Sequence, residues 1–482
     1  MATSDSPRWG QQVRPISGQD ASREGLEAAA SNEENGMAHR AASTDSKAAA
    51  SMLPLSRGYT TLAVLIVAYI ISLVDRQVMS LMVAPIKQTL HINDVEIGLL
   101  QGFSFALFYC ILGLPLGRIA DRSSRRILIA AGMAFWSAAT IACAFAHSFT
   151  ELFVARMCVG IGEAALAPAA YSLLADLFPP KRLIRANALF SMGAMLGGGL
   201  ALVVGGTALD YAAKFAGVLF GGQFQAWQLV FIAVGLPGIL LTGVLLALVK
   251  EPKRLDDTPV PSIREACGQL WALRGHLVPL YTCATLLSIV MFANLGWLPT
   301  HFIRVFHMTA SQTGMGLGIA LMAGCVIGAY FGPSLTGMLL RRGHQDAHMR
   351  TVLIASLVII VPVMGPLMDN RYAALFAAFL YYLVQNSYFG AITASAQSVT
   401  PNRIRAINSG ILFLVMNLVG LGGASVIVAW VAGHVFGGGP NAIGHSIALV
   451  SAVAALASSV IALRTMKRYR QPAGIVNFTE NR

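Results

Sequence analysis

A series of long apolar runs constrains this chain more than any other feature of its sequence. From residue 60 onward, runs of about 20 mainly apolar residues, the length that crosses a bilayer as a helix, alternate with short polar loops. The Gly-rich stretch 193–222 is interpreted as one helix followed by a long outer loop, because Asp210 and Lys214 interrupt the apolar pattern. The runs predict twelve spanning helices, at 60–84, 96–118, 127–147, 149–174, 184–209, 227–249, 277–300, 312–336, 350–368, 372–397, 405–433 and 442–464.

The composition leaves no room for a water-facing surface of ordinary size. Charged residues make up 12% of the chain and hydrophobic residues 56%, whereas soluble proteins carry about 25% charged residues. This excludes a soluble enzyme, a nucleic-acid-binding domain and a disulfide-stapled secreted domain. All of the six cysteines except Cys267 lie in apolar runs without metal-ligand spacing, so we expect neither a metal nor a cofactor.

Positive charge is concentrated in the loops on one side of the predicted helices. The other side offers little beyond Lys87, Lys214, Arg304 and Arg371. By the positive-inside rule, both termini are therefore expected in the cytoplasm. Topology explains most of the net charge of +12, which then does not indicate nucleic-acid binding. The basic side carries Arg122, Arg125, Arg126, Lys181, Arg182, Arg185, Lys250, Lys253, Arg254, Arg264, Arg274, Arg341, Arg342, Arg350, Arg403, Arg405, Arg464, Lys467, Arg468 and Arg470.

The predicted helices divide into two halves of six. The segment FPPKRLIRA at 178–186, before helix five, resembles TPNRIRA at 400–406, before helix eleven, and a group of glycines follows each. Internal repeats of this kind are typical of secondary transporters, whose binding sites lie between the repeats near mid-bilayer. The predicted parts are a disordered N-terminal tail (1–56), a first bundle (57–250), a cytoplasmic linker (251–276), a second bundle (277–466) and a C-terminal tail (467–482).

The loop between predicted helices two and three contains GRIADRSSRR at 117–126. It resembles the loop motif G-x-x-x-D-R-x-x-R-R of the major facilitator superfamily, and the resemblance extends over about residues 57–466. This implies an all-α membrane protein with twelve transmembrane helices in two pseudo-symmetric six-helix bundles. In that family the motif stabilises the outward-open state by joining the two halves on the cytoplasmic side.

The resemblance implies a cytoplasmic gate built around this loop. Asp121 could accept hydrogen bonds from a helix N-terminus in the other half. The arginines could pair with an acid such as Asp176 at the end of helix four, and a purely topological role is the alternative. The candidate gate residues are Gly117, Asp121, Arg122, Arg125, Arg126 and Asp176.

Four charged residues lie within predicted spanning helices, where charges are costly and functional by default. Helix one carries Asp75 and Arg76, and helix four carries Arg156 and Glu163, which a spacing of seven places on one face. The four charges could merely hold helices one and four together. Alternatively, an acid in a low-dielectric cavity could pick up and release a proton. A neighbouring arginine would then bind a phosphate or carboxylate.

Several of these segments resemble the spinster family, including its bacterial homologues. They are Asp75-Arg76, GIGEA at 160–164, DLFP at 176–179 and WSAAT at 136–140. Animal members export sphingosine-1-phosphate or lysophospholipids, and proton coupling is proposed for several. The resemblance implies that Asp75 and Glu163 carry the proton step and that Arg76 engages the substrate. Arg156 would be a structural or relay partner.

The second half is poor in intramembrane charge, so its candidates are amides and aromatic residues. A cavity charged on one side and apolar on the other suits a polar head with an acyl tail, although such polar groups also bond between helices. His301 and His307 are interpreted as interfacial histidines with satisfied hydrogen bonds, with an extracellular pH sensor as the alternative. The substrate-binding candidates are Arg76, Tyr69, Asn294, Gln385 and Asn386.

Together these patterns predict a proton-coupled secondary transporter that exports a lysophospholipid, a sphingolipid-like lipid or a similar amphipathic anion by alternating access. No Walker sequence indicates ATP-driven transport. The alternatives are an organic-acid or multidrug transporter of the same fold, a membrane-embedded lipid enzyme and a transporter-like sensor. We expect a monomeric multi-pass protein of a bacterial inner membrane, with substrate, protons and the lipid bilayer as partners and no nucleic acid.

Overall fold

The computed structural model describes residues 54–218, 222–252, 254 and 263–469. Within these ranges the secondary structure is helical, which confirms the predicted all-α class. The predicted N-terminal tail lies outside the described residues up to residue 53, and so does the predicted C-terminal tail from residue 470 onward.

In the described part of the chain, twelve helices are long and apolar enough to cross a membrane. They confirm the twelve predicted spans, with most ends shifted by a few residues. Two shorter helices connect them: Val83–Leu90 follows the first span, and the linker helix Ile263–Ala272 precedes the seventh. The spans are α1 (Leu55–Leu81), α2 (Asp94–Gly113), α3 (Arg125–Cys143), α4 (Phe149–Leu177), α5 (Lys181–Phe215), α6 (Ala226–Leu248), α7 (Arg274–Phe306), α8 (Ala310–Arg341), α9 (Ala347–Leu367), α10 (Arg371–Ser398), α11 (Ile407–His434) and α12 (Ala442–Tyr469).

The spans run alternately up and down, so the bundle has two distinct ends. We call the end with Leu55 and Tyr469 the terminal end, and the opposite end, where α1 and α7 finish, the distal end. The linker helix lies at the terminal end, since it joins the finish of α6 to the start of α7.

The prediction that Asp210 and Lys214 interrupt helix five is wrong, because α5 continues through both residues to Phe215. Both residues lie near the distal end of α5. The carboxylate of Asp210 accepts a hydrogen bond of 3.0 Å from the backbone N–H of Ser311, in the first turn of α8. A carboxylate is favourable there because the N-terminus of a helix carries partial positive charge. Lys214 is exposed.

The two halves meet along two helix pairs, α5 with α8 and α2 with α11. Glycine makes both approaches possible. A Cβ atom on Gly206 would lie 2.2 Å from the backbone oxygen of Ala310, and one on Gly102 would lie 2.2 Å from that of Leu421. Small residues allow helix backbones to approach this closely in membranes.

The α2–α11 pair contains two π-helical segments, Leu99–Phe103 and Met416–Leu421, which contact each other. Such segments shift the helix register and are frequent at functional sites. Here they lie at the interface between the halves, beside the charged residues of α1.

Candidate functional site

The centre of the site is an ion pair between α1 and α4. An Arg76 Nη2 atom lies 2.6 Å from Glu163 Oε2, and the Ser72 hydroxyl donates to the same oxygen over 2.8 Å. Ser72 and Arg76 lie one turn apart on α1, so both side chains point to the carboxylate. Glu163 is 2% exposed and ends the first part of α4, where a turn at Ala164 interrupts the helix.

Two aromatic rings of α2 hold the other face of Arg76. Its guanidinium carbon lies 4.1 Å from the ring centroid of Phe105 and 5.3 Å from that of Tyr109. The predicted substrate residue Tyr69 stacks on Phe190, with ring centroids 5.1 Å apart. Tyr69 also interacts electrostatically with Arg76. The structure therefore brings Arg76, Glu163 and Tyr69 into one cluster.

Asp75 points to a different place from its neighbour Arg76, because consecutive residues of a helix face about 100° apart. Its side chain is fully buried, with Arg156 and Thr140 as polar neighbours. Among the described residues neither carboxylate oxygen has a hydrogen-bond partner. Arg156 instead donates to the backbone oxygen of Asp75 over 3.3 Å. The four charges thus form one group across α1 and α4, with Glu163 and Arg76 nearer the interface of the halves.

A small cavity connects Arg76 to the second half. Its volume of about 20 Å³ is enough for roughly one water molecule. Both polar atoms of the Gln101 side chain are buried without a hydrogen-bond partner in the described structure. One side of the cavity is polar and the other apolar. The second-half side also carries one hydroxyl, so it is mainly rather than wholly apolar. The walls include Arg76, Gln77 and Gln101 from the first half and Phe292, Leu295, Leu421 and Ser425 from the second.

The halves are tied together at the distal end. Arg304 of α7 binds Asp94 of α2 through two hydrogen bonds of 2.8 and 3.1 Å, and Lys87 binds the same carboxylate at 2.5 Å. The Thr300 hydroxyl donates to the backbone oxygen of Ser80 over 3.1 Å. Sequence reasoning recorded Lys87 and Arg304 only as scattered charges. The available signal was Asp94, an acid seven residues after Lys87 and just before predicted helix two.

At the terminal end, the loop motif is bound by acids of its own half. Arg125 is buried and pairs with Asp176, the acid that the sequence analysis proposed. Its Nε also binds Glu251 at 2.8 Å, and the other oxygen of Glu251 accepts from the backbone N–H of Arg126 over 2.8 Å. Sequence reasoning missed Glu251, whose position directly after helix six was the available signal.

The remaining gate candidates are less constrained. Arg122 is exposed, and a Cβ atom on Gly117 would meet only Pro168, at 3.9 Å. The side chain of Asp121 lies outside the described part of the structure. A gating role for this loop stays a prediction.

Two second-half candidates are engaged in packing between helices. Asn294 donates to the Ser451 hydroxyl of α12 over 3.1 Å, and Asn386 donates to the Cys325 sulfur of α8 over 2.8 Å. The structure does not bring them to the Arg76 cluster. Gln385 is 6% exposed, and its Oε1 has no hydrogen-bond partner within the described residues. It is not among the residues that line the cavity beside Arg76.

The interpretation of His301 as a satisfied interfacial histidine is wrong. The ring is 1% exposed, and neither nitrogen has a hydrogen-bond partner in the described ranges. It packs against Phe302 and Phe306, where a Cβ atom on Gly444 would lie 2.4 Å from the imidazole. The cause is the length of α7, which continues to Phe306 and buries the ring inside the bundle.

The sequence model of the Major Facilitator Superfamily matches residues 65–424. The chain belongs to the major facilitator superfamily. Membership confirms the predicted fold, with two pseudo-symmetric six-helix bundles, and makes this an integral multi-pass membrane transporter and not an enzyme.

Relatives with assigned names agree with this class. An MFS-type efflux pump of Mycolicibacterium smegmatis is 24% identical over 417 residues, which cover 86% of this chain and 94% of that protein. Protein spinster homolog 1 of Rattus norvegicus is 33% identical over 204 residues, covering 42% of this chain and 36% of that protein. The predicted similarity to the spinster family is confirmed over that part.

A solved structure shows the same architecture. The crystal structure of a bacterial homologue of the human lysosomal transporter Spinster, inward-facing and unoccupied, superimposes with a TM-score of 0.72. The match covers 86% of this chain and 97% of that one, at 24% identity. At this identity the similarity concerns the fold.

Proposed function

We propose that this superfamily member is a proton-coupled transporter that moves an amphipathic anionic lipid, a lysophospholipid or a sphingolipid-like molecule, by alternating access. One observation carries the proposal. The Arg76 guanidinium is bound to a buried acid on one side and borders the cavity between the halves on the other. A guanidinium placed in this way can exchange the Glu163 carboxylate for an anionic group of the substrate.

The exchange couples substrate to protons. In the structure the Glu163 carboxylate neutralises Arg76 at 2.6 Å. An incoming phosphate or carboxylate competes for the same guanidinium, which binds both groups through paired N–H donors. A displaced Glu163 would be a buried carboxylate without its cation, so it takes up a proton. Substrate binding and proton uptake are then one event.

Asp75 acts as the second acid of the relay. Its side chain is fully buried beside Arg156, and burying an ionised carboxylate is costly unless it is paired. Glu163 and Arg156, both on α4, act electrostatically on Asp75. A proton lost from Glu163 therefore changes the electric field at Asp75, and the reverse also holds. Arg156 is the relay partner in this proposal.

The lipid character of the substrate is supported by the cavity and by the spinster similarity. Phe292, Leu295 and Leu421 face the cavity from the second half, opposite the Arg76 side. A molecule with an anionic head and an apolar tail would contact both walls once the halves move apart, because the cavity as it stands holds about one water molecule. Gln385 stays a candidate there, with a buried amide oxygen that has no described hydrogen-bond partner, although it does not line the cavity in this state.

The distal contacts define the state of the cycle. With both termini in the cytoplasm of a bacterial cell, as the loop charges indicate, the sealed distal end faces outward. Transport then requires the Asp94–Arg304 ion pair to open. The loop motif around Arg125 would exchange partners in the same transition, acting as the gate of the terminal end.

A second candidate function is efflux of drugs or transport of organic acids. The similarity to an efflux pump over most of the chain favours it. Such substrates would use the same arginine without the apolar wall.

The test is flux of a lysophospholipid in proteoliposomes, with and without a pH gradient. Glu163→Gln removes the proposed coupling acid. Glu151→Gln is the matched control, since Glu151 is an exposed acid on the same helix, away from the site. We expect the gradient to drive flux in the wild type and the control but not in Glu163→Gln. Wild-type flux that ignores the gradient would refute coupling. Flux of short carboxylates or drugs, but not of lipid, would favour the second candidate.

A further inference from the structure

The start of α7 and the end of α12, the first and last spans of the second half, meet in a junction at the terminal end. Tyr469, the last residue of α12, donates to the backbone oxygen of His276 over 2.5 Å. Arg468 donates to the backbone oxygen of Gly275 over 2.8 Å. The rings of His276 and Tyr469 also meet edge to face. These contacts hold the end of α12 against the start of α7.

The linker helix leads into this junction and leaves a tryptophan outside. Ala266 and Leu270 are buried and belong to a cluster with Ile404, which precedes α11. Trp271 is 68% exposed. The Arg274 guanidinium carbon lies 5.4 Å from its ring centroid, and the same side chain donates to the backbone oxygen of Trp271 over 3.1 Å. The indole is therefore placed outside the protein core, with a cation beside it.

Arg274 is the cation beside this indole, and Lys467 and Arg468 lie at the junction into which the linker helix leads. Arg274, Lys467 and Arg468 are all exposed, and none forms an ion pair with a carboxylate in the described part of the chain. The one hydrogen bond described for each guanidinium goes to a backbone oxygen, which leaves most of its five N–H donors for another acceptor.

We propose that this surface, formed by Trp271, Arg274, Lys467 and Arg468, binds the headgroup of an anionic membrane phospholipid. The surface lies where α7 begins and α12 ends, and the ends of spanning helices are expected at the depth of the headgroups. Tryptophan is enriched at that depth because its ring is apolar and its N–H is polar. Clustered cations next to a span attract anionic lipid, each by about fivefold in affinity. The site is separate from the transport cavity and does not depend on the transported substrate.

Quenching of tryptophan fluorescence by brominated phospholipids tests the proposal. The full-length protein is placed in vesicles of phosphatidylcholine with increasing phosphatidylglycerol, one of the two lipids being brominated. Subtracting the spectrum of Trp271→Phe isolates the signal of Trp271. Trp430 is the internal control, because it is 51% exposed near the distal end of α11. We expect brominated phosphatidylglycerol to quench Trp271 at a lower lipid fraction than brominated phosphatidylcholine, and Trp430 to show no preference.

A charge-removal variant completes the test. In Arg274→Gln/Arg468→Gln, the preference of Trp271 for the anionic lipid should fall roughly 25-fold, about fivefold for each lost cation. The control Lys214→Gln/Arg371→Gln removes two exposed cations at the distal end and should leave the preference unchanged. Equal quenching of wild-type Trp271 by both lipids would overturn the proposal. So would a preference that survives removal of Arg274 and Arg468.

Discussion

Replacing Arg304 with glutamine should release the distal end. The Arg304–Asp94 contact is the ion pair that joins the halves there, and both side chains are 22% exposed. An exposed pair contributes about 0.2–1 kcal/mol, and breaking a buried one costs about 3–5 kcal/mol. For this half-buried, doubly hydrogen-bonded pair we expect about 1–2 kcal/mol. Lys87 still neutralises Asp94 in the variant, so the change leaves no isolated buried charge.

The measurable consequence is a shift between sealed and open distal ends. Since 1.4 kcal/mol is a factor of ten, the ratio of open to sealed molecules should rise roughly 5- to 30-fold. Spin labels at Lys214 on α5 and Arg371 on α10, one exposed position per half, would report the separation in a cysteine-free background. Pulsed electron–electron double resonance then gives the populations directly.

A charge-matched control and a double-mutant cycle separate the pair from other effects. Arg341→Gln removes an exposed cation at the terminal end of α8 and should leave the distances unchanged. In the double variant Arg304→Gln/Asp94→Asn, the free-energy change between sealed and open ends should be smaller than the sum of the two single changes, because both substitutions remove the same contact. Unchanged distance distributions in Arg304→Gln, or fully additive effects, would refute the reasoning.

Three further predictions follow from single contacts. Burial would raise the pKa of Glu251, but the backbone N–H of Arg126 and the guanidinium of Arg125 outweigh it and lower that pKa. The stabilisation by Glu251 should therefore be present above its ordinary pKa and be lost as pH falls through the lowered value, so the melting temperatures of wild type and Glu251→Gln should converge in acid. Gly206→Ala should separate α5 from α8, because its Cβ would lie 2.2 Å from a backbone oxygen, and an unchanged distal label distance would contradict this. Asp75→Asn should keep thermal stability within about 1 kcal/mol, because asparagine has the shape of the protonated acid, while pH-dependent flux is lost; normal flux would make Asp75 structural.

The sequence predicted the fold because the hydropathy of each span depends only on residues that are neighbours in the chain. Twelve apolar runs, the positive loops and the repeated segments before helices five and eleven need no information about distant contacts. The same reasoning failed at Asp210, because a charge at the end of a span can bind the start of another helix, here at Ser311. Local hydropathy does not contain that partner.

The charged residues of the site were predictable, because a charge in an apolar segment is costly and therefore stands out in the sequence. Arg76 and Glu163 stood out in apolar surroundings, and the structure places them 2.6 Å apart. Asn294 and Asn386 were equally plausible ligands in sequence, yet their partners on α12 and α8 take up their hydrogen bonds. The distal pair with Asp94 was missed because it depends on how the two halves meet, which no local pattern records.

The most direct test of the central claim is proton uptake upon substrate binding. Purified protein in weakly buffered detergent, with a pH indicator, is mixed with lysophospholipid, and bound lipid is counted in parallel. If the anion replaces the carboxylate on Arg76, about one proton should be taken up per lipid bound by the wild type, and none by Glu163→Gln. Lipid binding without proton uptake, or equal uptake in both proteins, would contradict the proposed exchange.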